Sequence, residues 1–206
     1  LTRSADPNTR LLVVVATDAE APRDGAHEVL VCGVGKTGAA AATAARLAKG
    51  GVRGVVSFGV AGAYPDAGLA IGDVVVASEV GVLDEGLDAG DRFISFFHRM
   101  NVPGAGWTRC DASLVADRPS DAAFRVVRGR VATVSTCAGN ERLAAERAAS
   151  GAVAEGMEGA AVAYAASLFG APFAELRGIS NFCGPREGAR FELAAAVRNA
   201  ARLLPT

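Results

Sequence analysis

Glu28-Val-Leu-Val-Cys-Gly-Val-Gly-Lys-Thr-Gly-Ala-Ala-Ala-Ala-Thr-Ala-Ala-Arg-Leu-Ala-Lys49 is the stretch that decides the fold class. It reads as a strand, Glu28–Cys32, closed by Gly33-Val-Gly35 and followed by an Ala-rich helix, Lys36–Lys49. Working outward, strands go on alternating with helices without an internal repeat. Upstream, Leu11–Ala16 is an apolar run of strand length, and the loop Thr17–Gly25 behind it carries Asp18 and Glu20. Downstream, strands are expected at Val55–Phe58 (closed by the turn Gly59-Val-Ala-Gly62), Asp73–Val80, Val126–Ser135, Ala152–Ala154 and Pro172–Ser180. The last of these ends at Asn181. Helices are expected at Glu141–Ala149, Glu158–Phe169 and Phe191–Leu204. Strands alternating with helices predict an α/β fold. The expected architecture is a single three-layer domain over residues 1–206, with a central mixed, mostly parallel sheet flanked by helices and residues 1–10 as a disordered end.

Composition narrows the function classes. Half of the 206 residues are hydrophobic but only 6% are aromatic, so Ala, Val and Leu must build the core. A net charge of −1 provides no global field to recruit nucleic acid or an anionic membrane. Cys32, Cys110, Cys137 and Cys183 form no CxxC pair, and His27 and His98 have no HExxH or HxH context; no metal or other cofactor is expected. Dispersed cysteines, the absence of an apolar run of membrane-spanning length, and a polar opening from Leu1 to Arg10 give the expectation of a cytoplasmic protein. One segment breaks the pattern. Gly81–Pro119 is rich in Gly, Asp and Pro and holds Phe93, Phe96, Phe97 and Trp107, and it reads as a long functional loop.

Two local matches are weaker than they look. Gly33-Val-Gly35-Lys-Thr-Gly38 fits GxGxxG, but the strand that follows ends in Val56-Ser57-Phe58 and lacks the acid that would hold a dinucleotide ribose. A tight turn with close helix–strand packing is the preferred reading. Gly54-Val-Val-Ser57-Phe-Gly59 is one residue away from a nucleophile elbow, and Ser57 reads as an ordinary strand residue.

Glu20, Glu158 and Asn181 stand at strand ends or a helix start, where open α/β sheets gather ligands. A carboxylate in a first helical turn, such as Glu158, is favoured in its ionised form by the helix dipole and can accept from vicinal hydroxyls. Asn181 offers an amide at the carboxyl edge of the sheet.

The turns Gly33-Val-Gly35 and Gly59-Val-Ala-Gly62, the Met157-Glu158 pair and the strand end Ile179-Ser180-Asn181 resemble the purine nucleoside phosphorylase and nucleosidase superfamily, from about Leu11 to Leu204. The chain is most similar to the methylthioadenosine/adenosylhomocysteine nucleosidase branch, and Arg177-Gly-Ile-Ser-Asn-Phe-Cys-Gly184 with Arg186-Glu187 looks like the futalosine hydrolase family. The resemblance implies a nucleoside phosphorylase-like fold and N-glycosidic hydrolysis of a nucleoside by water. It implies futalosine as substrate, hypoxanthine as product and a place in a menaquinone route. It also implies that Glu20 activates the water, that Met157 and Glu158 bind ribose with Gly62 and Ser180 beside the substrate, and that Asn181 contacts the purine. A homodimer or higher homo-oligomer is expected from the same likeness. Adenine-releasing members carry aspartate where Asn181 stands; an amide suits a 6-oxopurine, which presents acceptors at both N7 and O6. Arg92, Phe93, Phe96, Phe97, His98 and Trp107 are candidates for the 5′ side of the substrate. Four other readings stay open: a methylthioadenosine nucleosidase, a purine nucleoside phosphorylase, a nucleotide-binding module built on Gly33–Gly38, and a non-catalytic nucleoside-binding protein.

Overall fold

The computed structural model describes residues 10–23, 25–90, 92–96, 106–185, 187–188 and 190–205. The expectations placed on residues 1–9, Phe97, His98 and Arg186 lie outside the described residues.

In chain order the elements are β1 (Arg10–Val15), β2 (Glu28–Val31), α1 (Lys36–Leu47), β3 (Val52–Ala63), β4 (Val74–Val82), β5 (Gly86–Asp88), β6 (Phe93–Ser95), β7 (Thr108–Arg109), β8 (Val126–Thr133), α2 (Glu141–Ala148), β9 (Ala152–Gly156), α3 (Gly159–Leu168), β10 (Phe173–Phe182) and α4 (Leu193–Ala201). Along β1, Leu12 and Val14 enter one apolar cluster while Leu11, Val13 and Val15 enter another. Both faces of that strand are therefore covered, which is why its sequence is a continuous apolar run. On α1 the buried residues are Ala39, Thr43 and Leu47, one helical stripe, and Ala39 and Leu47 join the first cluster beside Val162 and Ala166 of α3. Asn140 caps α2 by accepting from the Leu143 amide at 2.9 Å. None of the described helices is long and apolar enough to cross a membrane.

The α/β class and a mixed sheet in which parallel pairings outnumber antiparallel ones agree with the sequence reading. The way the sheet closes does not. β3 is twelve residues long. Its first half pairs with β1, its second half runs parallel to β10, and Gly62 and Ala63 pair antiparallel with Glu155 and Ala154 of β9. From β10 the ladder passes to β4, then β8, then back to β9. Five strands thus close a ring, from which β1 and β2 extend as a flange. A long twisted strand can hold different partners along its length, and that permits the closure.

Two boundaries are corrected by the same pairing. Gly59-Val-Ala-Gly62 is not a turn: β3 continues through it because β10 supplies hydrogen bonds alongside. Asn181 is not past a strand end but inside β10, paired with Gly62 next to a register shift at Ser180. The segment Gly81–Pro119 is also more ordered than a loop, since β4 runs to Val82, β5 and β6 form a hairpin and β7 joins β4.

Asp73 ties the ring together at the start of β4. Its buried carboxylate accepts from Ala70 N at 2.8 Å and Arg125 N at 3.1 Å, and pairs with the Arg125 guanidinium at 2.5 Å. Burial works against its charge, but these donors outweigh burial and hold the carboxyl below its ordinary range. A depressed pKa contributes stability above the unfolded value and loses it as pH falls through the folded one. Asp73→Asn should therefore lower unfolding free energy by about 1–3 kcal/mol at pH 7. In urea melts between pH 7 and pH 3, the gap between wild type and variant should narrow below about pH 4.

Candidate active site

The carboxyl edge of β3 gathers the polar residues, beginning with Glu20. Thr17, Asp18 and Ala19 turn the chain after β1 through a short 3₁₀ turn that buries the Glu20 side chain. Its Oε2 accepts from Thr17 N and Thr17 Oγ1, both at 3.1 Å, and its Oε1 accepts from Val60 N at 3.2 Å. Three donors fix the carboxylate against β3. Position 59 must be glycine for this to happen: a Cβ there would overlap Glu20 Oε1 and come within 2.7 Å of Arg177 Nη1.

Arg177 is the centre of the site. It is 1% exposed, and its neighbours satisfy it in three directions. Nε donates to Glu175 Oε1 at 2.6 Å, Nη2 donates to Ser57 Oγ at 2.8 Å, and Nη2 lies 3.7 Å from Glu158 Oε2. Burial opposes its charge, yet Glu175, Glu158 and Glu20 together hold it firmly protonated. Glu175 is fully buried, and burial raises its pKa despite the pull of Arg177; its Oε2 has no hydrogen-bond partner among the described residues. Two acids, Glu175 and Glu158, thus lie against one guanidinium, and the charge of Glu20 acts on it from beyond contact.

Glu158 stands immediately before α3, as the helix-start reading expected. Its Oε1 accepts from Gly35 N at 2.9 Å. The Gly33–Gly38 turn is therefore more than a packing turn, because its backbone amide orients a carboxylate of the site. The packing half of that reading also holds: a Cβ on Gly38 would lie 2.6 Å from the Cys32 carbonyl. Cys32 lies in the field of Glu158, and burial together with that charge pushes its thiol up to about 11. A thiol so placed is no thiolate nucleophile at neutral pH.

Asn181 is buried on β10 opposite Gly62, which lies three residues beyond Gly59 on β3, about 10 Å at a strand rise of about 3.3 Å per residue. Its Nδ2 donates to the Phe182 carbonyl at 3.0 Å, while its Oδ1 accepts from Ser180 Oγ at 2.9 Å. A carbonyl can only accept, so the amide orientation is settled and one Nδ2–H is left over among the described residues. The sequence reading counted two free donors; one is engaged by the backbone. Ser180 is buried, and its single O–H donates to Asn181 Oδ1, with the Ala61 carbonyl a longer alternative acceptor at 3.3 Å. Gly62 packs against this pair, an added Cβ lying 3.2 Å from Asn181 Nδ2 and 2.9 Å from Cys183 Sγ. Met157 is half-buried in the bend between β9 and Glu158.

Sequence reasoning missed Arg177, Glu175, Ser57 and the Gly35 amide. A signal for the first two existed: Glu175 and Arg177 interrupt an otherwise apolar strand at i and i+2, which places both on one face. The aromatic candidates do not converge. The Trp107 ring lies under the Arg130 guanidinium, 5.0 Å from its centroid, and packs on an apolar cluster with Tyr64 and Leu83. Arg92 and Phe93 line a groove of about 1050 Å³ between the β5–β6 hairpin and α2, whose lining includes neither Phe96 nor Glu20, Glu158 or Asn181. The groove approaches the site at Asp84, which binds Lys36 Nζ at 2.8 Å, one residue from Gly35.

Comparison with known proteins places the fold and the family. Residues 24–205 match the family model of the phosphorylase superfamily. The futalosine hydrolase of Streptomyces coelicolor is 36% identical over 183 residues, covering 82% of this chain and 73% of the relative. That of Acidothermus cellulolyticus is 38% identical over 176 residues, covering 83% and 70%. The crystal structure of a 5′-methylthioadenosine/S-adenosylhomocysteine nucleosidase from Colwellia psychrerythraea in complex with adenine superposes with a TM-score of 0.75 at 26% identity, covering 94% of this chain and 91% of that one. The chain belongs to the phosphorylase superfamily and, within it, to the N-glycosidases that hydrolyse nucleosides.

Proposed function

We propose that the chain hydrolyses the N-glycosidic bond of futalosine, releasing hypoxanthine, with Glu20 as the base and Asn181 as the purine contact. The observation that carries this reading is the layout along β3. Glu20, from the turn after β1, is fixed on β3 at Gly59 and Val60, and Asn181 of β10 is in register with Gly62 three residues further along, so one strand brings the proposed base and the proposed purine contact to the same end of the sheet.

In the proposed reaction the C1′–N9 bond breaks as water oxygen bonds to C1′. The sugar passes through a cation-like state, and Glu20 takes the proton that water loses; the purine leaves with the electron pair of the broken bond and takes up a proton from solvent, to which Glu20 returns its own. Glu158 grips the ribose hydroxyls. The surplus negative charge of the cluster around Arg177 stabilises the developing positive charge. The free Nδ2–H of Asn181 donates to the departing base. Because Oδ1 is engaged by Ser180, the residue presents a donor, which favours an oxo group at C6 over an amino group.

Two further observations support water and this substrate. The Arg177 guanidinium is held by Glu175, Ser57 and Glu158, and Val60 N by Glu20, so neither is free to bind phosphate. A groove that runs from Asp84, whose partner Lys36 adjoins Gly35, carries Phe93 and Arg92, and an aryl carboxylate on the 5′ carbon would find an apolar surface and a cation along it.

Futalosine, inosine and methylthioadenosine should be incubated with the protein in phosphate-free buffer, and released bases quantified. Futalosine should be cleaved fastest, and added phosphate should not raise the rate; methylthioadenosine cleaved faster than futalosine would overturn the substrate assignment. Glu20→Gln should lower kcat by about 10²–10⁴-fold. Asn181→Asp should shift the ratio of hypoxanthine to adenine release towards adenine by about tenfold. An unchanged ratio would remove Asn181 from base recognition.

A further inference from the structure

Behind the purine contact lies a second buried carboxylate that the reaction does not use. Glu155 is in register with Gly62 on one side of β3, and Asn181 is in register with the same glycine on the other. The three residues form one row across β9, β3 and β10. Glu155 is buried, and both of its oxygens are occupied. Oε1 accepts from Ala138 N at 2.6 Å; Oε2 accepts from the Tyr64 hydroxyl at 2.9 Å and from Arg147 Nη1 at 2.9 Å. Arg147 Nη1 also donates to the Thr136 carbonyl at 2.6 Å.

Every one of these bonds ends on, or braces, the segment Thr136–Asn140. That segment connects β8 to α2 without regular structure of its own, so side chains must satisfy its backbone. Its front is hooked to the base-contact strand: Gly184 N donates to the Ala138 carbonyl at 3.0 Å, three residues after Asn181. Its upstream end is held by Asp84, which accepts from Ser135 N and from Thr136 N at 3.3 Å. Ala138 is therefore clamped at both poles, its N–H by Glu155 and its carbonyl by Gly184. Cys183, between Gly184 and Asn181, fills the space against Gly62.

We propose that Glu155 is a positioning residue for the base subsite. It acts through the Ala138 amide to fix the wall that faces Asn181, with Tyr64 and Arg147 holding its carboxylate in place. The proposal rests on the reading that the purine lies against Asn181. A carboxylate is required rather than an amide because all three neighbours donate: a backbone N–H, a phenol and a guanidinium. In Glu155→Gln one end of the side chain becomes a donor. Either Ala138 N–H or the Tyr64–Arg147 pair then meets a donor where it had an acceptor.

The test measures inhibition by free hypoxanthine and by free adenine, together with kcat, KM and melting temperature, in wild type, Glu155→Gln and Tyr64→Phe. Glu155→Gln should raise the Ki of the base and KM about tenfold. It should lower kcat at saturation by no more than about threefold, since Glu20 and Glu158 are untouched. Tyr64→Phe removes one bond to Oε2 and leaves the Ala138 contact; it should raise the same Ki by about twofold to threefold while remaining folded. A fall in kcat with Ki unchanged in both variants would mean that Glu155 only stabilises the fold, and would overturn the proposal. If the wild type binds adenine and not hypoxanthine, the oxo-purine reading fails while the clamp is judged on the adenine Ki. If the wild type binds neither base, the purine reading and the clamp fall together.

Discussion

A guanidinium almost sealed from water sits where β3, β10 and the start of α3 meet, and its surroundings follow from what such a charge requires. Removing a cation from water carries a penalty of several kcal/mol, which excellent geometry and full hydrogen bonding must offset. Arg177 meets that condition with Glu175 on its own strand, Ser57 on β3 and Glu158 at the head of α3. Glu175 and Glu158 lie against it and Glu20 adds a third acid nearby, so one positive charge does not cancel the set. The surplus negative charge, held in a water-poor setting, is what a reaction through a cationic sugar needs. The interaction that holds three elements together also shapes the electrostatics of the site.

Backbone requirements follow from the same cluster. Glu20 lies on β3 where Gly59 leaves room for both it and Arg177, and Glu158 is aimed by an amide of the turn after β2. The ring of strands places these pieces. If β3 stopped at Phe58, it would bring neither β10 with Asn181 nor β9 with Glu155 into register with Gly62.

Much of this was legible in the residues. Continuous apolar runs alternating with Ala-rich stretches identified most elements, because burial on both faces of a sheet leaves that trace. Glu20, Glu158 and Asn181 drew notice as polar residues at element ends, and the structure brings all three to the edge of β3 or onto Arg177. What stayed hidden was non-local. The closure of the ring depends on two residues of β3 pairing with a strand about ninety positions away, and no local pattern records that. The Gly59–Gly62 stretch reads as a turn because glycine is ambiguous: here it admits side chains from elsewhere instead of bending the chain. The Gly35 amide carries no side-chain signature at all. Trp107 drew notice as an aromatic residue of the Gly81–Pro119 segment, and the structure shows it packed beneath Arg130. Ser180 is a subtler case, since its hydroxyl turns to Asn181 and sets which atom of the amide faces outward.

The account is tested most directly by a crystal structure of the protein with hypoxanthine and ribose bound together. It predicts the base edge within hydrogen-bond reach of Asn181 Nδ2, the ribose hydroxyls on Glu158, and the open face of C1′ turned towards Glu20. Hypoxanthine bound away from Asn181, or a ribose whose C1′ faces away from Glu20, would contradict it.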